Sequence, residues 1–348
     1  MKLNDKGVCS RMSVLLTGGA GYIGTHTLVE LLESGNDAVV FDNYSNSKPE
    51  ALERVKKITG RDFVSYKADM LDEESLDRIF SENEIEAVIH FAGLKAVGES
   101  VRQPLMYYHN NHTGTLNLCK AMADHGVKRM VFSSSATVYR QPAVMPINEE
   151  AKLGTTCPYG ETKLMIEKML TDIAAADREW SVAILRYFNP VGAHPSGLIG
   201  EDPQGIPNNL FPYITKVAQG TLPCLKVFGD DYPTTDGTGI RDYIHVVDLA
   251  RAHLSALDYA RLNSGVDYFN IGTGKGYSVF DLIHAYEKAT GKKVPYKVVS
   301  RRPGDIAICY ADPTKAREIL GWTAKLGIED MCRDGDRWQT MNPDGYGE

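Results

Sequence analysis

Residues 17–35 read TGGAGYIGTHTLVELLESG; they follow the apolar run Ser13–Leu16 (SVLL) and pass into a stretch with helical apolar spacing. The glycines Gly18, Gly21 and Gly24 repeat as G-x-x-G-x-x-G. A short buried strand, a glycine-rich turn and an amphipathic helix form the opening of a dinucleotide-binding βαβ unit. The turn lets main chain approach a pyrophosphate, and the helix N-terminus offers unpaired N–H groups and the positive end of a dipole. The next strand pattern, AVVFDN, brings Asp42 to its end, eighteen residues past Gly24. A carboxylate there accepts hydrogen bonds from both ribose hydroxyls and repels a 2′-phosphate, so NAD is favoured over NADP. The other reading, a turn that only packs helix on strand, leaves the placement of strand, helix and acid unexplained.

Outward from this unit the same alternation continues. The runs DFVSYKAD, AVIHFAG, RMVFSSS and SVAILRYFNP are separated by helical patterns, which predicts an α/β fold with a Rossmann-type, doubly wound parallel sheet. Four of the six strand runs end in small or polar residues, as expected where ligands bind at the carboxyl edge. After Asn189 the texture turns to Gly, Pro and Asn. Residues 1–12 are therefore expected to be an extension, 13–190 the dinucleotide domain and 191–348 mainly a smaller mixed α/β substrate domain. Residues 240–272, with a strand-then-helix pattern, are expected to return to the first. No apolar run approaches the ~20 residues of a membrane helix. Six scattered cysteines without a CxxC speak against a metal site or a disulfide framework. A net charge of −7 with no basic block disfavours nucleic acid. A cytoplasmic protein acting on a small ligand is the expectation.

The remaining motifs track one groove. Asp69 ends the third strand pattern and suits the adenine edge. Phe91, Ala92 and Gly93 of FAGLK end the fourth and would line the dinucleotide, with Asn110 and Asn111 on the helix that follows. Each also reads singly as a turn or cap residue. The fifth strand carries Ser133, Ser134 and Ser135 to its end, and CPYGETK follows, with Tyr159 four residues ahead of Lys163 at the start of a helical pattern. A free phenol, with a pKa of about 10, is a poor base near neutrality, but an adjacent ammonium and the positive nicotinamide favour phenolate. Tyr159 is thus the candidate base for an alcohol whose hydride leaves to NAD, Lys163 the ammonium that supports it, and Ser135 the hydrogen-bond partner of the reacting oxygen.

The glycine pattern, Asp42, Ser135 and Tyr-x-x-x-Lys resemble the extended short-chain dehydrogenase/reductase family. TGGAGYIG, FAGLKAVGES, FSSSATVY, RYFNPVGAHPSG, PNNL, DGTGIRDYIHV and RRPGDI resemble its UDP-hexose 4-epimerase branch across nearly the whole chain. The resemblance implies a homodimer, a tightly held NAD and a UDP-sugar substrate inverted at C4 through a 4-keto sugar, as in galactose metabolism. It assigns Tyr22, Ile23, the loop Asp42, Asn43, Tyr44, Ser45, Asn46 and Ser47, with Asp69, Met70, Phe91 to Leu94, Lys95, Asn110 and Phe188, to the dinucleotide. Ser135, Tyr159 and Lys163 match the catalytic trio. Lys95, Asn189, Asn208, Asn209, Leu210, Arg241, Arg302, Asp305 and Cys309 match UDP-sugar contacts; guanidinium suits a diphosphate. Two departures stand out: Arg140 where glycine is commoner, and Glu161 inside the Tyr-x-x-x-Lys stretch, which would weaken the positive field if it pointed inward.

Two other functions compete. Related sugar-nucleotide dehydratases carry Asp-Glu after the threonine that matches Ser135, where this chain has Ala136 and Thr137. A non-catalytic dinucleotide sensor on the same fold would have no need of Tyr159 and Lys163. Cys309 matches a position that is a bulky tyrosine in members limited to glucose and galactose. A thiol there leaves room for an N-acetyl group, unless Tyr310 closes the gap.

Overall fold

The computed structural model describes residues 12–140, 144–203, 205, 207, 209–302 and 304–347; Asn208 therefore lies outside the described residues. In chain order the elements begin β1 (Ser13–Thr17), α1 (Tyr22–Glu33), β2 (Asp37–Asp42), α2 (Pro49–Thr59), β3 (Val64–Lys67), α3 (Glu73–Glu82) and β4 (Ile85–His90). Then come α4 (Val97–Arg102), α5 (Pro104–Tyr107), a π-helical turn (Tyr108–Thr113), α6 (Gly114–Asp124), β5 (Arg129–Ser135), α7 (Pro158–Ala176) and β6 (Ser181–Tyr187). The rest is β7 (Asn189–Val191), α8 (Leu210–Ala218), β8 (Leu225–Phe228), β9 (Ile240–Arg241), β10 (Tyr243–His245), α9 (Val246–Leu262) and β11 (Gly265–Ile271). α10 (Val279–Thr290), β12 (Tyr296–Val299), β13 (Ile308–Cys309), α11 (Thr314–Leu320) and α12 (Ile328–Met341) complete it.

The chain divides into two compact units. The first runs to Ser134 and adds Cys157–Leu185 and His253–Tyr268. Its sheet has the order β11-β6-β5-β4-β1-β2-β3, with β1 parallel to both β2 and β4. Val14, Leu15 and Leu16 are fully buried, because helices cover both faces of such a sheet; each contributes about 2 kcal/mol of burial. The strand order reverses between β1 and β4, which lays the turn after β1 beside the loop after β4: Gly18 N donates to Phe41 O at 2.8 Å, and Phe91 N to Thr17 O at 3.0 Å.

The second unit comprises Ser135–Thr156, Arg186–Ala252 and the chain from Phe269. Short parallel pairs, β7 with β10, β8 with β12 and β9 with β13, surround a core that includes Phe211, Ile214, Tyr286, Met331 and Cys332. Ile240–His245 thus pairs inside this unit, and the return to the first is made by His253–Tyr268. Among the described residues no helix is long and apolar enough to cross a membrane, and Cys119, Cys157, Cys224, Cys309 and Cys332 are free thiols.

Candidate active site

The glycine turn leaves no room for side chains. Gly18 sits at φ +67°, and a Cβ there would lie 2.7 Å from Ala92 N; one on Gly24 would lie 2.6 Å from Gly18 O. Gly21 is the N-cap of α1 and gives no side-chain cap, so the main chain of the turn itself forms the helix N-terminus. Asp42 ends β2 with a carboxylate held by Ala20 N (3.0 Å), Tyr44 N (2.9 Å) and Ser47 Oγ (2.8 Å). Tyr44, at φ +59°, makes the bend that carries Asn43, Ser45 and Asn46 out to solvent. Asn43 Nδ2 donates to Asp69 Oδ2 at 2.7 Å, joining the ends of β2 and β3. A main-chain cradle and an oriented carboxylate are the donors and acceptors that a pyrophosphate and a ribose diol require. Met70 is different: it is 5% exposed and packs in the core against Gly114, and its carbonyl accepts from Asn117 Nδ2 at 3.3 Å.

One residue ties the next two loops together. Asn111, buried in the π-helical turn, accepts Leu94 N (2.7 Å) and Asn110 Nδ2 (2.9 Å) on Oδ1. Its Nδ2 donates to Leu94 O (3.0 Å) and to Thr162 Oγ1 (3.1 Å). Thr162 Oγ1 donates to Tyr159 O at 2.7 Å. Asn111 thereby registers the Phe91–Lys95 loop against the turn that bears Tyr159. The sequence names Asn110 and Asn111 together; both lie in the π-helical turn, where function often gathers, and Asn111 makes the bonds between the loops.

Tyr159 and Lys163 occupy the first turns of α7, opened by Pro158 at N1. Lys163 is 5% exposed, donates from Nζ to Ser133 O at 2.7 Å and lies 4.9 Å from the Phe132 ring centroid. Burial pushes its ammonium down to about 8, against the opposing pull of Glu167. Glu167, one turn on, accepts from Ser134 Oγ at 2.5 Å. The acid that acts on Lys163 is thus Glu167; Glu161 acts instead on the Tyr108 phenol, raised mainly by burial.

In the second unit Ser135 Oγ accepts from Thr137 N (3.2 Å) and from Thr137 Oγ1 (3.0 Å), leaving its own hydrogen to be donated. Phe188 is buried, and Asn189 is exposed at the start of β7. Asn209 stands at the N-cap position of α8 without a side-chain cap bond and donates from Nδ2 to Glu201 Oε1 at 3.3 Å. Arg241 on β9 stands opposite Cys309 on β13. Arg302 pairs with Asp305 at 3.0 Å on the surface and lies 4.8 Å from the Phe228 ring. Burial pushes the Tyr243 phenol up to about 12, and the guanidinium groups of Arg241 and Arg302 oppose the rise. Arg140 is exposed, and its N donates to Lys152 O.

Asp242, which the motif reading passed over, organises this half. Its carboxylate, fully buried, accepts Thr273 N (2.9 Å), Thr273 Oγ1 (2.6 Å), Gly274 N (3.0 Å) and Ala311 N (3.1 Å). Its main chain donates to Cys309 O and accepts from Asn189 N, both at 3.0 Å. An acid between the short strands β9 and β10, directly ahead of the largely apolar YIHVV, was the available signal.

Sheet order, glycine turn and Tyr-x-x-x-Lys helix together define an extended short-chain dehydrogenase/reductase. A model of the GDP-mannose 4,6 dehydratase family matches residues 15–335. UDP-glucose 4-epimerase of Bacillus subtilis (strain 168) is 64% identical over 335 residues, 96% of this chain and 99% of that one. The enzyme of the same name from Pasteurella multocida (strain Pm70) is 60% identical over 336 residues, with 96% and 99% covered. The crystal structure of UDP-glucose 4-epimerase from Bifidobacterium longum in complex with NAD+ and UDP matches with a TM-score of 0.93 at 57% identity, covering 96% of this chain and 100% of that one. The chain belongs to the UDP-glucose 4-epimerase family.

Proposed function

We infer that the protein is an NAD-dependent isomerase that interconverts UDP-galactose and UDP-glucose. Tyr159 takes the proton of the sugar 4-hydroxyl, and the Lys163 ammonium favours the phenolate that does so. Ser135 donates its uncommitted hydrogen to the same oxygen. Bound NAD supplies a hydride acceptor for C4 and afterwards the donor that returns hydride to the other face. Gly18, Gly21, Gly24, Asp42 and the Phe91–Lys95 loop hold it. Arg241 and Arg302 grip the diphosphate while the 4-keto sugar turns, and weak hold on the hexose is what inversion needs.

The observation that carries this reading over a dehydratase is the Ser135–Thr137 pair. Thr137 donates twice to Ser135, and no carboxylate stands at 136 or 137 to help expel a 6-hydroxyl. The test is incubation of purified protein with UDP-galactose. UDP-glucose as product supports the epimerase; a 4-keto-6-deoxy sugar points to a dehydratase; bound dinucleotide without turnover points to a sensor.

The sugar range extends to UDP-GalNAc and UDP-GlcNAc. Side-chain direction supports this reading: Tyr310 lines, with Ile308, Ile240 and Gly276, a hollow of about 540 Å³, whereas Cys309 shares its face with Arg241, as alternation along a strand requires. Cys309→Tyr should abolish turnover of UDP-GalNAc and spare UDP-galactose; a wild-type enzyme unable to use UDP-GalNAc refutes the reading. A homodimer is supported by exposed apolar side chains along α4 and α5: Val97 (46%), Val101 (61%) and Leu105 (84%). Free thiols fit a cytoplasmic setting.

A further inference from the structure

A line of buried polar groups runs from the glycine turn to the helix of Tyr159, and the steps above make no use of it. Thr17, His90, Asn111, Thr115 and Thr162 are each 1% exposed or less. Buried polar groups persist when they are paired, and here the pairing has one direction. Thr115 Oγ1 donates its single hydrogen to Asn111 O at 2.6 Å. The hydrogen between Thr115 Oγ1 and His90 Nε2, 2.9 Å apart, therefore belongs to the imidazole. Nδ1 of the neutral ring is then an acceptor, and Thr17 Oγ1 donates to it at 2.6 Å. Thr17 Oγ1 accepts in turn from Ala92 N at 3.3 Å. At the other end Asn111 Nδ2 donates to Thr162 Oγ1, which donates to Tyr159 O.

A second proton has no place in this chain. On Nδ1 it would face a hydroxyl that already receives Ala92 N–H, and Thr17 would lose its acceptor. The surroundings act in the same sense: the ring packs on Phe132, and burial, with the charge of Lys163, pushes His90 down to about 3.

We propose that His90 is a positioning residue for the reaction: a permanently neutral Nε2–H imidazole that ties the Gly18–Ala92 turn to the main chain of Tyr159 through Thr17 on one side and Thr115, Asn111 and Thr162 on the other. This rests on the inferred roles of that turn as dinucleotide seat and of Tyr159 as base.

The two arms can be cut separately in the holoenzyme. The amide of His90→Asn reaches the Nδ1 position and keeps the Thr17 arm; that of His90→Gln reaches the Nε2 position and keeps the Thr115 arm. His90→Asn is expected to keep its dinucleotide through gel filtration and lose about tenfold in kcat with KM little changed, the size of effect a small misplacement produces. His90→Gln is expected to shed dinucleotide on dilution, with kcat in excess NAD above that of His90→Asn. ¹⁵N NMR of the wild type, assigned by difference, should show a neutral Nε2–H ring that does not titrate between about pH 5.5 and 9, a window that spans the usual histidine range. An Nδ1–H tautomer or a titrating ring overturns the directed chain. Equal losses in both variants that follow only their melting temperatures overturn the positioning role. A wild type inactive on UDP-galactose would overturn the function instead, and the tautomer would still decide the chain.

Discussion

Replacing Lys163 with methionine should change how stability depends on pH, in a direction that the buried ammonium dictates. Burial pushes Lys163 from 10.5 down to about 8, with Glu167 pulling the other way. In the unfolded chain the group returns to its ordinary value. Between about pH 8 and 10.5 the unfolded chain therefore binds a proton that the folded protein does not, so stability rises with pH through that window. Below pH 8 the folded protein carries the whole cost of a buried charge, about 3 kcal/mol at 1.36 kcal/mol per pKa unit. Methionine removes that cost but leaves Ser133 O without the donor now 2.7 Å away, a loss of about 1–3 kcal/mol. At pH 7 the variant should thus be within about 1–2 kcal/mol of the wild type although it has lost turnover. At pH 10 the wild type should have gained up to about 3 kcal/mol on it. Urea unfolding of both proteins, stripped of dinucleotide, reads this as a gap between midpoints that widens with pH; tyrosines and cysteines that titrate in the same range cancel in the comparison. Parallel curves from pH 7 to 10 would refute the reasoning.

Tyr159→Phe should lose at least about 100-fold in kcat, as expected for a general base, while UDP binding measured by calorimetry stays within about threefold; near-normal turnover would move the base elsewhere. Denatured protein should release NAD into the supernatant, because the ketone must meet reduced cofactor before either leaves; NADP in its place would contradict the role of Asp42. Asp242→Asn puts N–H hydrogens where four donors converge, so it should lower stability by about 1–3 kcal/mol and raise KM for UDP-galactose more than it lowers kcat, since it loosens Asn189, Arg241 and Cys309 together.

What could be read from the sequence was whatever repeats a local physical rule. Gly18, Gly21 and Gly24 had to be glycines because main chain passes within a Cβ's reach of Ala92 N and Gly18 O, and that need is written in their spacing. Five of the six strand patterns from Ser13 to Pro190 were legible because their strands, β1, β2, β4, β5 and β6, are buried nearly throughout and so largely apolar, whereas β3 at the sheet edge is mostly exposed and shows only as one more step of the alternation. Tyr159 and Lys163 were legible because a helix brings i and i+4 together whatever else the fold does. The residues that escaped have partners fixed only by tertiary contact. Asp242 serves Thr273, Gly274 and Ala311, far along the chain, so neither its neighbours nor its spacing shows that it is full. Asn111 was visible beside Asn110 in the helix after FAGLK, but its bonds to Leu94 and Thr162 are tertiary contacts that no periodicity predicts. Glu161 raised a doubt and Glu167 went unnoticed for the same reason: the sequence gives each acid's distance from Lys163 along the helix but not which way it faces. The face decides the field, so the electrostatics of Lys163 rest on a tertiary contact, the Ser134 hydroxyl that holds Glu167, which spacing along the helix does not encode.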